Sequence, residues 1–299
     1  MTNDFQDNPR NSLATSAISL AFCNQKGGVG KTTSAVNVGA CLADAGARVL
    51  LVDLDPQGNA STGVGIARQD VKVGTYEVLA GTAVHEAIAQ ASVPNLDVLP
   101  SSIDLAGAEI ELVGAPKRET KLRTAIDAAR SDYDYILIDS PPSLGLLTLN
   151  ALCAADAVII PIQCEYYALE GLGQLLRTID LVRDGLNPKL HVGGVVLTMY
   201  DARTKLSEQV VADVREHLGD VVFRMVIPRT VRLSEAPGYG KPVTSYDPGS
   251  RGAFTYRALS VEIMHRWPRG HAKAATPVLA QTPAEDMPDD ERHTLEESR

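Results

Sequence analysis

Residues 24–33 read Asn-Gln-Lys-Gly-Gly-Val-Gly-Lys-Thr-Thr, set between a short apolar run at Ala17–Cys23 and an apolar-periodic stretch from Ala35 to Ala45. A glycine-rich turn that closes a strand and opens a helix restricts the chain to a narrow set of α/β folds. Gly27, Gly28 and Gly30 let the backbone curl so that successive N–H groups face inward, as phosphate oxygens require. The helix behind adds the partial positive charge of its N-terminus. Lys31 would reach the β- and γ-phosphates, and the Thr32 hydroxyl would take a magnesium coordination position. Val29 and Thr33 complete the predicted nucleotide-binding segment.

The rest of the chain supports that context. Short β-branched or Leu-rich runs at Arg48–Asp53, Leu96–Leu99, Tyr135–Asp139, Ala157–Ile162, Val192–Met199 and Val221–Ile227 alternate with helical stretches. The helices are predicted at Thr33–Ala45, Lys117–Arg130, Leu144–Ala154, Gly171–Asp184, Lys205–Leu218 and Ala253–Trp267. Such alternation predicts a doubly wound, mostly parallel sheet flanked by helices on both faces. Val49–Val52 and Ile136–Ile138 are apolar without a break, as strands covered on both faces should be. The ordered domain is expected over residues 17–267, with a disordered polar leader at 1–16 and a disordered acidic tail at 268–299.

The usual form of the loop has Gly five residues before Gly30. Here that position is Gln25, and a second lysine, Lys26, stands beside the glycines. With this substitution the chain resembles the ParA/MinD group of ATPases, which carry a deviant phosphate loop. The resemblance implies ATP and magnesium as ligands, and a homodimer formed on ATP binding in which Lys26 reaches the partner's nucleotide.

Three further segments extend it. Val52-Asp53-Leu54-Asp55-Pro56-Gln57-Gly58 places two acids at the C-terminal edge of a strand, where open α/β sheets bind ligands. Alone, the pair would read as solvated turn residues. In the resembled family the position of Asp55 orients the attacking water, and that of Asp53 supports the magnesium shell. Tyr135–Ser143 is an apolar strand ending in Asp139 and followed by Pro141 and Pro142, the arrangement in which the acid holds a magnesium-bound water. Gln163 and Glu165, in a Pro-x-Gln segment, resemble the family's dimer face, and Thr198-Met-Tyr-Asp201 and Ile227-Pro228-Arg229 resemble the strand ends that frame the adenine.

Outside the nucleotide segments the resemblance narrows to the ParA/Soj branch of partitioning ATPases. It rests on Asp201-Ala-Arg203-Thr-Lys205, Arg229-Thr-Val-Arg232-Leu-Ser-Glu-Ala-Pro237 and Asp247-Pro-Gly-Ser-Arg251. In that branch the positions of Arg203 and Arg232 belong to a patch that grips double-stranded DNA without sequence preference; Lys205 and Arg251 lie in the same segments. Guanidinium groups scattered on loops suit phosphate contacts and carry no base readout. The competing role for such arginines is to bond helix ends or carboxylates. The implied cycle ends with hydrolysis stimulated by a ParB-type centromere-binding protein, and the intrinsic rate is expected to be slow because the motifs hold no arginine finger.

Charge restrains this reading. Net charge is −9, and only residues 201–270 are basic, with eleven Lys/Arg against eight Asp/Glu. With no transmembrane-length apolar run and a polar N-terminus, a cytoplasmic and, with ATP, nucleoid-associated protein is expected, with no membrane partner. The acidic tail lacks the basic amphipathic helix of a MinD-like membrane-associated positioning ATPase, one alternative. A non-catalytic nucleotide-gated scaffold is the other. The four scattered cysteines predict buried thiols; a two-cysteine iron–sulfur site shared across a dimer, as in the related nitrogenase reductase, is the functional alternative.

Overall fold

A computed structural model describes residues 16–269 apart from 167 and 170. The predicted leader and tail therefore fall almost wholly outside the described residues.

Among the described residues, eight strands form one sheet: β1 (Ile18–Phe22), β2 (Val49–Asp53), β3 (Ala89–Gln90), β4 (Leu96–Leu99), β5 (Tyr135–Asp139), β6 (Ala157–Gln163), β7 (His191–Tyr200) and β8 (Val222–Pro228). Their order is β3-β4-β2-β5-β1-β6-β7-β8, and every pairing is parallel except that of the two-residue β3 with β4. The doubly wound sheet expected from the sequence is the fold. The loop after β1 emerges between β5 and β6, where the winding reverses, the usual ligand crevice of such sheets.

Burial explains the unbroken apolar strands. Ile136 and Ile138 of β5 face one core, with Leu147, Ala151 and Leu175 from the helices of that layer. Tyr135 and Leu137 face the other, with Val38 and Leu42 of the helix Lys31–Asp44 and Tyr256, Leu259 and Ile263 of the last helix, Arg251–Arg266. Alternate side chains thus enter opposite cores, so both sets must be apolar.

The last helix is seated by close approach. In β7, a Cβ on Gly193 would meet the Trp267 ring at 2.7 Å, and one on Gly194 would collide with Phe223. The Tyr135 hydroxyl donates to the Trp267 carbonyl (2.6 Å), and the Arg266 guanidinium lies 4.1 Å above the Phe223 ring. Trp267 thus packs the end of the last helix against β7.

Most helix boundaries lie within two residues of expectation, and two differences bear on the fold. The loop helix begins at Lys31, capped by Gly30 at φ 90°, and the stretch read as Lys117–Arg130 divides into a turn at Arg118–Thr120 and a helix at Lys121–Asp127. Between β2 and β5 lie short helices at Asn59–Gly63, Thr75–Ala80, Val84–Ala87 and Leu105–Glu111, too brief to give a readable period. No helix among the described residues is long and apolar enough to cross a membrane.

Candidate nucleotide site

The loop is built by backbone geometry and tied down by side chains. Gly28 (φ 76°) and Gly30 (φ 90°) occupy left-handed conformations that a side chain would strain. The Asn24 amide donates to the Pro161 carbonyl (2.7 Å), while its oxygen accepts from the Lys26 amide (3.0 Å). The two lysines part company. Lys31 is buried and donates through Nζ to the Lys26 carbonyl (3.2 Å), whereas Lys26 is partly exposed and enters no ion pair among the described residues. Burial pulls the Lys31 pKa down, and the Asp139 carboxylate works against that shift.

Three acids converge beside it. Asp53 is fully buried at the end of β2, where its carboxylate accepts from the Ser61 amide (2.8 Å), the Ser61 hydroxyl (2.7 Å) and the Asp55 amide (3.2 Å). Burial raises its pKa to about 6, and the Ser61 bonds oppose that rise. These contacts hold the chain after β2 in place, and they direct Asp53 toward Ser61 and Asp55. Asp55 accepts from the Gln57 amide (2.9 Å) through one oxygen only. Asp139, directly opposite Asp53 in the β2–β5 register, is wholly buried with neither oxygen in hydrogen-bond geometry with a protein group. Burial pushes its pKa well above the carboxylate range and Asp53 adds to the rise, while nearby Thr32 and Lys31 offset part of it.

An orphaned buried carboxylate beside a hydroxyl is what a hydrated divalent cation would complete, so Thr32 and Asp139 fit the magnesium inferred from the motifs. Asp53 fits less directly, because Ser61 and Asp55 already occupy its oxygens.

A cleft of about 760 Å³ runs from Gly30, Thr32 and Thr33 to Pro228 and Arg229 at the end of β8. Met199 lines it with a backbone φ of 55°, a strained conformation for a side chain of its size. Arg229 also meets the proposed dimer face: it bonds Glu165 (2.9 Å), whose carboxylate accepts from Gln163 (2.6 Å). The remaining wall includes Asn37, Tyr256, Leu233, Ser234 and residues 236–238, which were not expected in the site from the sequence. Ser61 was missed as well, since a serine in a polar run carries no sign that it will brace a carboxylate.

The predicted DNA-contacting residues are surface groups, two of them in ion pairs. Arg203 grips Asp201 through both carboxylate oxygens (2.9 and 2.6 Å), which holds the Asp201 pKa far below its usual value. Arg232 contacts Glu235 (3.0 Å) and Asp247 (3.1 Å). Lys205 and Arg251 are exposed at the first turns of their helices. The four cysteines are separately buried thiols, with Cys23, Cys41 and Cys164 pushed up to about 12 by burial and Cys153 to about 11.

Comparison with known proteins agrees with this geometry. A family model described as an AAA domain matches residues 17–192. The chain is 58% identical over 245 residues to the sporulation initiation inhibitor protein Soj of Bacillus subtilis, covering 82% of this chain and 97% of that protein. It is 55% identical over 259 residues to the chromosome partitioning protein ParA of Caulobacter vibrioides, covering 86% and 97%. Among solved structures it resembles a cobyrinic acid a,c-diamide synthase from Mycobacterium smegmatis with bound ADP and magnesium, at 40% identity and a TM-score of 0.75, covering 87% of this chain and all of that one.

Proposed function

The chain belongs to the ParA/Soj family of chromosome-partitioning ATPases, and from that membership we propose that it works as an ATP-gated dimer that holds non-specific double-stranded DNA and lets go on hydrolysis. The observation that carries the proposal is the division of labour between the two loop lysines. Lys31 is buried where triphosphate oxygens would lie. Lys26 is partly exposed and has no ion-pair partner among the described residues, as a residue serving a second subunit should be.

In this scheme the inward N–H groups of residues 27–33 and the Lys31 ammonium bind the phosphate chain. The residues that would hold magnesium are Thr32 and Asp139; the ion, when bound, neutralises charge on the β- and γ-oxygens. Asp55 orients the attacking water through the oxygen that Gln57 leaves vacant. Charge developing on the γ-oxygens is met by Lys31 and the partner's Lys26, groups already in place, so no reorganisation cost accompanies the transition state. Pro228, Arg229 and Met199 enclose the base.

Dimerisation would double the set of arginines facing DNA. Because affinity climbs steeply with the number of phosphates neutralised, the dimer would bind at salt concentrations where the monomer does not. A ParB-type protein at its centromere-like site would raise the hydrolysis rate and free the dimer from DNA.

The test uses the Asp55→Ala protein and a non-specific duplex at near-physiological salt. Tight, salt-sensitive binding with ATP and none with ADP is expected, together with loss of phosphate release. Equal binding in both nucleotide states, or none in either, would refute the gating; phosphate release at the wild-type rate would remove Asp55 from the water.

A further inference from the structure

The phosphate loop leans over the end of β6 toward β7, and one buried hydroxyl meets it there. Thr198, 2% exposed near the end of β7, donates from Oγ1 to the Val29 carbonyl (2.8 Å), with the Ile162 carbonyl of β6 a longer second acceptor (3.2 Å). Its own backbone is fixed: Thr198 sits opposite Gln163 in the β6–β7 register, and its carbonyl accepts from the Cys164 amide (3.0 Å). Its methyl lies under Gly30, 3.6 Å from where a Cβ on that residue would sit. The strained Met199 follows at once and lines the cleft.

We propose that Thr198 is a positioning residue for the triphosphate: its hydroxyl holds the Val29 carbonyl turned outward, so that the N–H groups on either side stay aimed into the loop. The inference rests on the phosphate-loop reading above and assigns this residue a task distinct from enclosing the base. A carbonyl free to flip inward would set its negative end against phosphate oxygens, and each peptide flip also turns an N–H away. The Asn24–Pro161 bond restrains the start of the loop, and Lys31 bonds the Lys26 carbonyl. Among the described residues, Thr198 supplies the side-chain bond to the stretch between them.

The test is competition binding on the full-length protein with two ligands, ATP and inorganic triphosphate, each with magnesium. Thr198→Val keeps the shape and removes the hydroxyl; Thr198→Ser keeps the hydroxyl and removes the methyl. Losing one buried hydrogen bond should weaken both ligands alike in the Val variant, by about fivefold to tenfold, with Ser restoring most of the affinity. Thr198→Ala carries the same test if the Val protein does not fold. Wild-type triphosphate binding alongside weakened ATP binding would overturn the proposal, because it would make Thr198 a base contact. A Ser variant no better than Val would overturn it too, by assigning the effect to methyl packing. A wild-type protein that bound neither ligand would instead refute the phosphate-loop reading itself.

Discussion

Replacing Asp139 with Asn should stabilise the protein in the absence of nucleotide and disable it in the presence of nucleotide. Asp139 is wholly buried, neither oxygen meets hydrogen-bond geometry among the described residues although the Thr32 hydroxyl is near, and Asp53 sits beside it. A buried polar group left without a partner costs about 1–3 kcal/mol, and more when charged. The Lys31 ammonium offsets part of that cost, but the upward pKa shift shows that burial prevails. Asn keeps the size and remains polar, so it removes only the excess cost of the charge and its repulsion by Asp53, on the order of 1–3 kcal/mol. At roughly 2–4 °C per kcal/mol for a domain of this size, the nucleotide-free melting temperature should rise by roughly 2–12 °C. The pH dependence has a definite sign. With its pKa raised on folding, Asp139 binds its proton more tightly in the folded state, so its penalty is absent below about pH 4, grows as pH rises, and levels off above the folded pKa. The advantage of the Asn variant should therefore widen from pH 4 upward. With ATP and magnesium the wild-type protein should gain about 2.7 kcal/mol at a hundredfold excess over Kd, and the variant should lose most of that gain. Scanning calorimetry with and without nucleotide measures both arms. A nucleotide-free variant that melts at or below the wild-type temperature would refute the argument, since Asp139 would then have a partner that offsets its burial.

Two further outcomes test the dimer and its DNA face. Lys26→Ala should still bind ATP but remain monomeric with it by light scattering and hydrolyse it poorly; an ATP-dependent dimer in that variant would remove the cross-interface role. Arg232→Ala should leave the ATP-dependent dimer intact while weakening non-specific duplex binding, with the slope of log affinity against log salt falling by about one per subunit. An unchanged slope would mean that Glu235 and Asp247 remain its working partners.

How legible the molecule was in its sequence depended on whether local pattern or distant contact decided each feature. The strands were readable because β2 and β5 are buried on both faces, which forces unbroken apolar runs of nearly the observed length. The loop was readable because Gly28 and Gly30 need left-handed backbone and Lys31 needs to follow at once. Partners remote in sequence were not. Ser61 under Asp53, Thr198 on Val29, and Asn37 accepting from the Val243 amide (2.7 Å) are each buried polar contacts that the fold creates. The short helices between β2 and β5 were lost for another reason: four to seven residues are less than two turns, too few for a helical period to repeat.

The ion pairs of Arg203 and Arg232 limit the free charge that the proposed DNA face can offer. A count of basic residues over 201–270 treats every arginine as available charge, yet these two already face Asp201, Glu235 and Asp247. For a phosphate to engage Arg232, it must displace or share the guanidinium with two carboxylates of the same chain. All three acids are at the surface, so released carboxylates return to water and the exchange is close to balanced. A near-balanced exchange at each arginine gives one subunit little net affinity. Two subunits on one duplex add their small gains while sharing a single loss of translational freedom, so the total rises steeply. The paired arginines thus argue for gating by dimerisation: with Arg203 and Arg232 already matched by carboxylates, doubling the face is what would let DNA compete.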